Sequence, residues 1–186
     1  MADFPKAVRI NEEGPREGFQ FEKGPIPTAR KIELIDSLSK TGLKKIQVTS
    51  FVSPKAVPSM IDAEEVVKGF TPVPGVSYTG LWLNEQGLQR ALATGKLDVQ
   101  GSISQTASER FLLRNQKRTI EENLKAQDSI IAMFKANNVP VHRASIMAVF
   151  GCNFEGDLPI SRILELCERI FEIAARHGLA IKTLSL

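Results

Sequence analysis

The chain has 186 residues, of which 42% are hydrophobic and 24% charged, and a formal net charge of +3. Those proportions are those of an ordinary globular protein and exclude a disordered or low-complexity chain. Lys and Arg are interleaved with acids along the whole length, so no nucleic-acid partner is expected, and a phosphate-bearing cofactor suits the mild basicity better.

The N-terminus MADFPKAVRI has no apolar signal core, and no stretch approaches the roughly 18 apolar residues of a membrane span, so no membrane contact is expected. Two cysteines, Cys152 and Cys167, make neither a disulfide framework nor a zinc site, which points to a reducing, cytoplasmic setting. The length allows one domain with a real core but is short for an α/β barrel, which typically takes about 250 residues.

Ala7 to Ile10 reads as the end of a buried strand, and Asn11 to Lys23 (NEEGPREGFQFEK) as the loop it opens into. The loop carries two charged pairs, Glu12-Glu13 and Arg16-Glu17, beside Gly14 and Gly18, with Pro15 stiffening the turn. A strand fixes the backbone while the following loop faces ligand, so such a cluster is where a βα protein places its chemistry. A carboxylate here can hold a divalent cation through oxygen, and Arg16 can clamp a carboxylate or a developing oxyanion. A polar surface turn with an Arg-Glu ion pair is the plain alternative.

Thr28 can cap a helix with Ile32, Ile35 and Leu38 at helical spacing, ending at Gly42, and Leu43 to Phe51 reads as the next strand. A loop broken by Pro54 and Pro58 leads to a short helix around Ala63 to Lys68. Ser77 to Leu83 is strand-like, Glu85 to Thr94 helical, and Leu97 to Ser104 strand-like again. Gln105 to Arg118 reads as a long polar loop, and its Arg114, Lys117 and Arg118 as a solvated face, with contact to the phosphates of a ligand as the minor alternative. Thr119 to Glu122 fits a capping box for a helix with Ile120, Leu124, Ile131 and Phe134 facing inward. Val139 to Phe150 is the fifth strand and Gly151 to Asp157 its loop. A final helix carrying Ile163, Leu164, Cys167, Ile170, Phe171 and Ala174 ends at His177-Gly178 before a last strand, Ala180 to Leu186. Six strands alternating with five helices imply an α/β protein with parallel strands, either an open doubly wound sheet or most of a (β/α)8 barrel.

Four stretches together resemble the hydroxymethylglutaryl-CoA lyase family, metal-dependent aldol-type lyases on a TIM barrel. They are GPREGFQFEK (Gly14 to Lys23), KIELIDSLSKTGL (Lys31 to Leu43), VTSFVSPKAVPSM (Val48 to Met60) and FGCNFEGD (Phe150 to Asp157). The resemblance implies a single barrel domain over residues 1–186 that is C-terminally truncated and lacks its last strands. It also implies retro-aldol cleavage of a 3-hydroxy-3-methylglutaryl-CoA-like thioester, an acyl-CoA partner, and a divalent metal, Mg or Mn. By the same resemblance Arg16 is the catalytic arginine that stabilises an enolate-like oxygen, Glu17 stands at the metal-binding aspartate, and Ser50, Arg143 and Lys23 line the substrate site.

The departures from the family pattern bear on that reading. Glu17 is one methylene longer than aspartate, Gln47 replaces an acid, Phe21 an asparagine and Ser145 a tyrosine. The family's His-x-His metal motif has no counterpart, since His142 reads as a strand residue and His177 as a helix cap. Cys152 is expected to be a small buried residue. The 186-residue chain by itself is therefore expected to be poorly active or inactive. The alternative is a non-catalytic barrel fragment that self-associates or binds a partner, and a homo-oligomer is expected on the same ground.

Overall fold

The structure is a computed structural model that describes residues 5–22 and 24–186. Its strands and helices fall into two compact units, dividing at Val99 and Gln100. The first holds a parallel sheet of β1 (Asn11–Glu12), β2 (Lys45–Ser50) and β3 (Ser77–Leu81), in that order. Its helices are α1 (Gly14–Phe21), α2 (Thr28–Leu38), α3 (Ala63–Gly69) and α4 (Glu85–Ala93), with a 3-10 turn at Pro58–Met60. The second holds β4 (Gly101–Thr106), α5 (Glu109–Gln116), α6 (Ile120–Ala136), β5 (Val141–Met147), α7 (Ile160–Arg176) and β6 (Thr183–Ser185), its strands forming a parallel sheet in the order β4-β5-β6.

Strand alternation sorts the residues of the first unit. Ile46 and Val48 of β2 and Tyr78 of β3 pack with Ile35, Val66 and Phe70 in the helix-covered core. Gln47 and its register partner Thr79 therefore share the opposite face. A register shift between Gln47 and Thr49 adds a residue, which returns Ser50 to the face of Gln47 while Phe51 stays in the core. The helices α2 and α3 approach so closely that a Cβ on Gly69 would run into the Ile32 side chain.

Several boundaries differ from the sequence expectation, each for a local reason. The first strand is Asn11–Glu12 rather than Ala7 to Ile10, and the expected loop that follows is the helix α1. Pro15 sits in its first turn, where a missing N–H is harmless, and Glu17 complements the positive helix end. Thr28 does not cap α2 but begins it, its hydroxyl donating to Asp62 Oδ2 at 2.7 Å instead. The polar loop Gln105 to Arg118 contains α5, capped by the Ser108 hydroxyl that accepts from Phe111 N at 3.1 Å, and closed by Lys117 with φ of 56°. The described residues thus hold seven α-helices where five were expected, while the six strands stand. The capping box is present, Thr119 Oγ1 accepting from Glu122 N at 3.1 Å and Glu122 Oε2 from Thr119 N at 2.8 Å.

Candidate active site

In the first unit, β1 delivers the chain to the start of α1, and one turn later Arg16 points back toward β2. Its Nε donates to Gln47 Oε1 at 2.6 Å, one terminal nitrogen pairs with Glu13 Oε2 at 2.7 Å, and the other pairs with the Glu17 carboxylate. The Arg16 side chain is 13% exposed while those of Glu13 and Glu17 are near half exposed, so the guanidinium lies beneath its acids. A guanidinium has five N–H donors; three are engaged, and two remain for a further acceptor.

The same sheet carries two hydroxyls that have no hydrogen-bond partner among the described residues. Ser50, the last residue of β2, is fully buried, and Thr79 of β3 is 7% exposed. A buried hydroxyl left unpaired costs about 1–3 kcal/mol, so each is a place where a polar group of a ligand is favoured. Thr79 was not among the sequence candidates. The clue was available in the alternation Tyr78-Thr79, since a core-facing tyrosine turns its neighbour to the other face.

The other candidates are placed differently. Arg143 lies half-buried in β5, between Ser102 of β4 and Thr183 of β6 in register, and so belongs to the second unit. Ser145 on the same strand donates to Ser104 Oγ at 3.3 Å. Lys23 lies outside the described residues. Glu17 is engaged by Arg16, and no three His, Cys, Asp or Glu side chains converge on a possible metal position among the described residues. These residues do not by themselves assemble a donor set for a divalent cation.

A second polar cluster, not anticipated from the sequence, follows β4 and β5. Cys152 is half-buried rather than buried, and its thiol donates to Ser108 Oγ at 3.0 Å. On ionisation the Ser108 hydroxyl can turn to donate to the thiolate, and together with the backbone N–H groups of Phe154 and Glu155 this holds the thiol below its ordinary value. Glu155 is likewise held low, first by Ser108 and then by the Arg110 amide, with Arg162 3.7 Å away. Alkylation of Cys152 by iodoacetamide, read by mass spectrometry between about pH 6 and 9, is expected to half-titrate below an ordinary thiol. Ser108→Ala should move that midpoint upward and slow alkylation at neutral pH. An unmoved midpoint would show that the serine does not set thiol reactivity.

Parallel strands joined through helices, with charged and polar groups gathered past the C-terminal ends of β1 and β2, define an α/β protein of the TIM-barrel class. The chain belongs to the HMGL-like family, whose model matches residues 7–180. It is 42% identical to the chicken (Gallus gallus) mitochondrial hydroxymethylglutaryl-CoA lyase over 91% of this chain and 56% of that protein. The HMG-CoA lyase of Bacillus subtilis superposes with a TM-score of 0.82 at 38% identity, over 98% of this chain and 58% of the other. An HMG-CoA lyase from Acinetobacter baumannii, solved in complex with coenzyme A and 3-methylmalate, gives 0.77 at 30% identity, over 94% and 56%. The chain thus spans little more than half the length of the relatives it matches.

Proposed function

We propose that the chain serves a hydroxymethylglutaryl-CoA lyase-like carbon–carbon lyase, with Arg16 facing the reacting thioester. The observation that carries this reading is the Arg16 guanidinium, fixed by Gln47, Glu13 and Glu17 just beyond the sheet with two N–H groups in reserve. In a retro-aldol cleavage of 3-hydroxy-3-methylglutaryl-CoA the 3-hydroxyl loses its proton and the C2–C3 bond breaks. The bonding pair moves onto the thioester carbonyl oxygen as an enolate, which then takes a proton at carbon. Acetoacetate and acetyl-CoA result. Donors held in advance where that oxygen gains charge lower the barrier without reorganising.

Ser50 and Thr79, with unpaired buried hydroxyls on the face of Gln47, are proposed to meet polar atoms of the acyl group. Arg143 and Lys23 are proposed substrate contacts by resemblance alone, and Glu17 a metal ligand only if its Arg16 pair opens. A divalent metal, Mg or Mn, belongs to the family reading and would polarise substrate oxygens. It needs donors beyond those gathered among the described residues. The cytoplasmic setting rests on two cysteines, both free.

The test is incubation of this chain with the thioester and added magnesium or manganese, with products followed by mass spectrometry. Acetoacetate and acetyl-CoA are expected in equal amounts, far more slowly than with a full-length relative. Preferential cleavage of another 3-hydroxyacyl thioester, or neither cleavage nor thioester binding, would sink the reading. A rate equal to the relative's would sink the expectation of an incomplete ligand set.

A further inference from the structure

The helix α4 lies against the residues that follow β2, Phe51 and Val52. Gly87 lets it approach, since a Cβ there would stand 2.5 Å from the Phe51 carbonyl oxygen. One turn further along, Arg90 closes over the same segment. Its guanidinium carbon is 5.6 Å from the centre of the Phe51 ring, and Nη1 donates to the Val52 carbonyl at 3.3 Å. The other two nitrogens fork onto Glu64 of α3, Nε to Oε1 at 2.6 Å and Nη2 to Oε2 at 2.9 Å. That fork fixes the plane of the guanidinium. Through the same hydrogen bonds it holds the Glu64 carboxyl below, and the Arg90 guanidinium above, their ordinary values.

Phe51 is held from its other sides as well. Its amide donates to the Leu81 carbonyl at 2.7 Å, and its ring comes within 2.9 Å of where a Cβ on Gly80 would be. Val52 lies past the last residue of β2, beyond the reach of the strand ladder, and there Arg90 takes over the hold on the backbone. Ser50, the residue before this segment, is fully buried with its hydroxyl unpaired. One rotatable bond joins that oxygen to the backbone, so the adjoining peptides set where it points. We propose, resting on the lyase reading for the acyl group, that Arg90 is a positioning residue: it fixes Phe51 and Val52 from α4 and so aims the Ser50 hydroxyl at the acyl group of a bound thioester.

The competing account is a plain ion pair between α3 and α4. The Arg90 and Glu64 side chains are 27% and 46% exposed, and ion pairs so open to water contribute little to stability. What sets Arg90 apart from such a pair is the third nitrogen and the flat face of the guanidinium, both directed at the segment after Ser50. Glu64 then orients the arginine, and the arginine orients the chain.

The decisive comparison exchanges the two partners. In Arg90→Glu with Glu64→Arg the ion pair re-forms with its sense reversed, but a carboxylate now faces the Val52 carbonyl and the Phe51 ring. The readout is deuterium uptake into the methyl group of acetyl-CoA, followed by NMR at increasing thioester concentration. Uptake at saturation should fall about tenfold in the exchanged chain and in Arg90→Met, with the half-saturating concentration little moved. Arg90→Lys, which still brings a cation to the ring and a donor to the carbonyl, should recover part of the loss. In a Ser50→Ala background Arg90→Met should have little further effect, because the hydroxyl it aims is gone. Urea midpoints of the Arg90 variants should stay near that of the parent chain. Full uptake by the exchanged chain overturns the proposal, since the ion pair alone would then suffice, and so does a loss that adds in full to that of Ser50→Ala. Equal uptake by the parent and Arg90→Met overturns it and leaves the lyase reading in place, whereas a parent chain that takes up no deuterium ends both.

Discussion

Lys31→Ala is expected to destabilise the first unit by about 3–5 kcal/mol, the usual effect of stranding one member of a buried ion pair. Lys31 is 4% exposed, and its ammonium donates to Asp62 Oδ1 at 2.6 Å and to the Ser59 carbonyl at 2.5 Å. The other carboxylate oxygen accepts from Thr28 at 2.7 Å. Asp62 precedes α3 at its N-cap position yet caps nothing with its side chain, because both oxygens are committed to α2. The tie therefore pins the start of α2 to the connection that leaves β2 after Ser50 and enters α3 at Ala63. Without the lysine, a side chain that is only 12% exposed keeps its charge with a single hydroxyl for company. Urea unfolding followed by the fluorescence of Trp82, the only tryptophan, reports on this unit. Replacing both partners, as in Lys31→Met with Asp62→Ala, should cost less than Lys31→Ala alone, since no charge is left buried. A loss below about 1 kcal/mol for the single change would mean that the pair behaves as a solvated surface bridge.

That pair was not legible in the sequence. Lysine is rarely buried, and nothing in KIELIDSL distinguishes Lys31 from the exposed Arg30 beside it. Five of the six strands were legible because β-branched and aromatic runs bounded by Gly and Pro mark them, while the first lies at Asn11–Glu12, past the apolar Ala7 to Ile10. The two helices that escaped notice share a cause: α1 and α5 each bury a single residue, Pro15 and Leu112, so neither prints an apolar stripe. The first candidate pair, Arg16 and Glu17, was visible as a charged cluster after a strand. Glu13 lay in the same cluster, three residues before Arg16, whereas Gln47, 31 residues further on, needed the parallel pairing of β1 with β2 to meet it. The register shift that aligns Ser50 with Gln47 and Thr79 leaves no sequence trace, because a bulge is decided by hydrogen bonding along the strand pair.

Arg16→Lys should lower enolate formation by about 10²- to 10³-fold, the effect of removing a positioned donor to a developing oxyanion. The partial reaction that isolates this role is exchange of the acetyl-CoA methyl hydrogens in deuterium oxide, read by NMR, since it needs the enolate but no carbon–carbon bond cleavage. Lysine keeps the charge but offers three donors from one nitrogen, where arginine presents five in a fixed plane. Gln47, Glu13 and Glu17 each already take one donor from Arg16, so an ammonium that satisfied them would have none left for the thioester oxygen. Gln47→Ala separates holding from reacting: Nε loses its acceptor, the plane is free to turn, and exchange should fall by a smaller factor, about tenfold. Both variants sit at the rim of the sheet and should unfold at denaturant concentrations close to that of the parent chain. Equal exchange by parent and Arg16→Lys, at matched thioester occupancy, would remove Arg16 from the chemistry and leave it a surface ion pair between two glutamates.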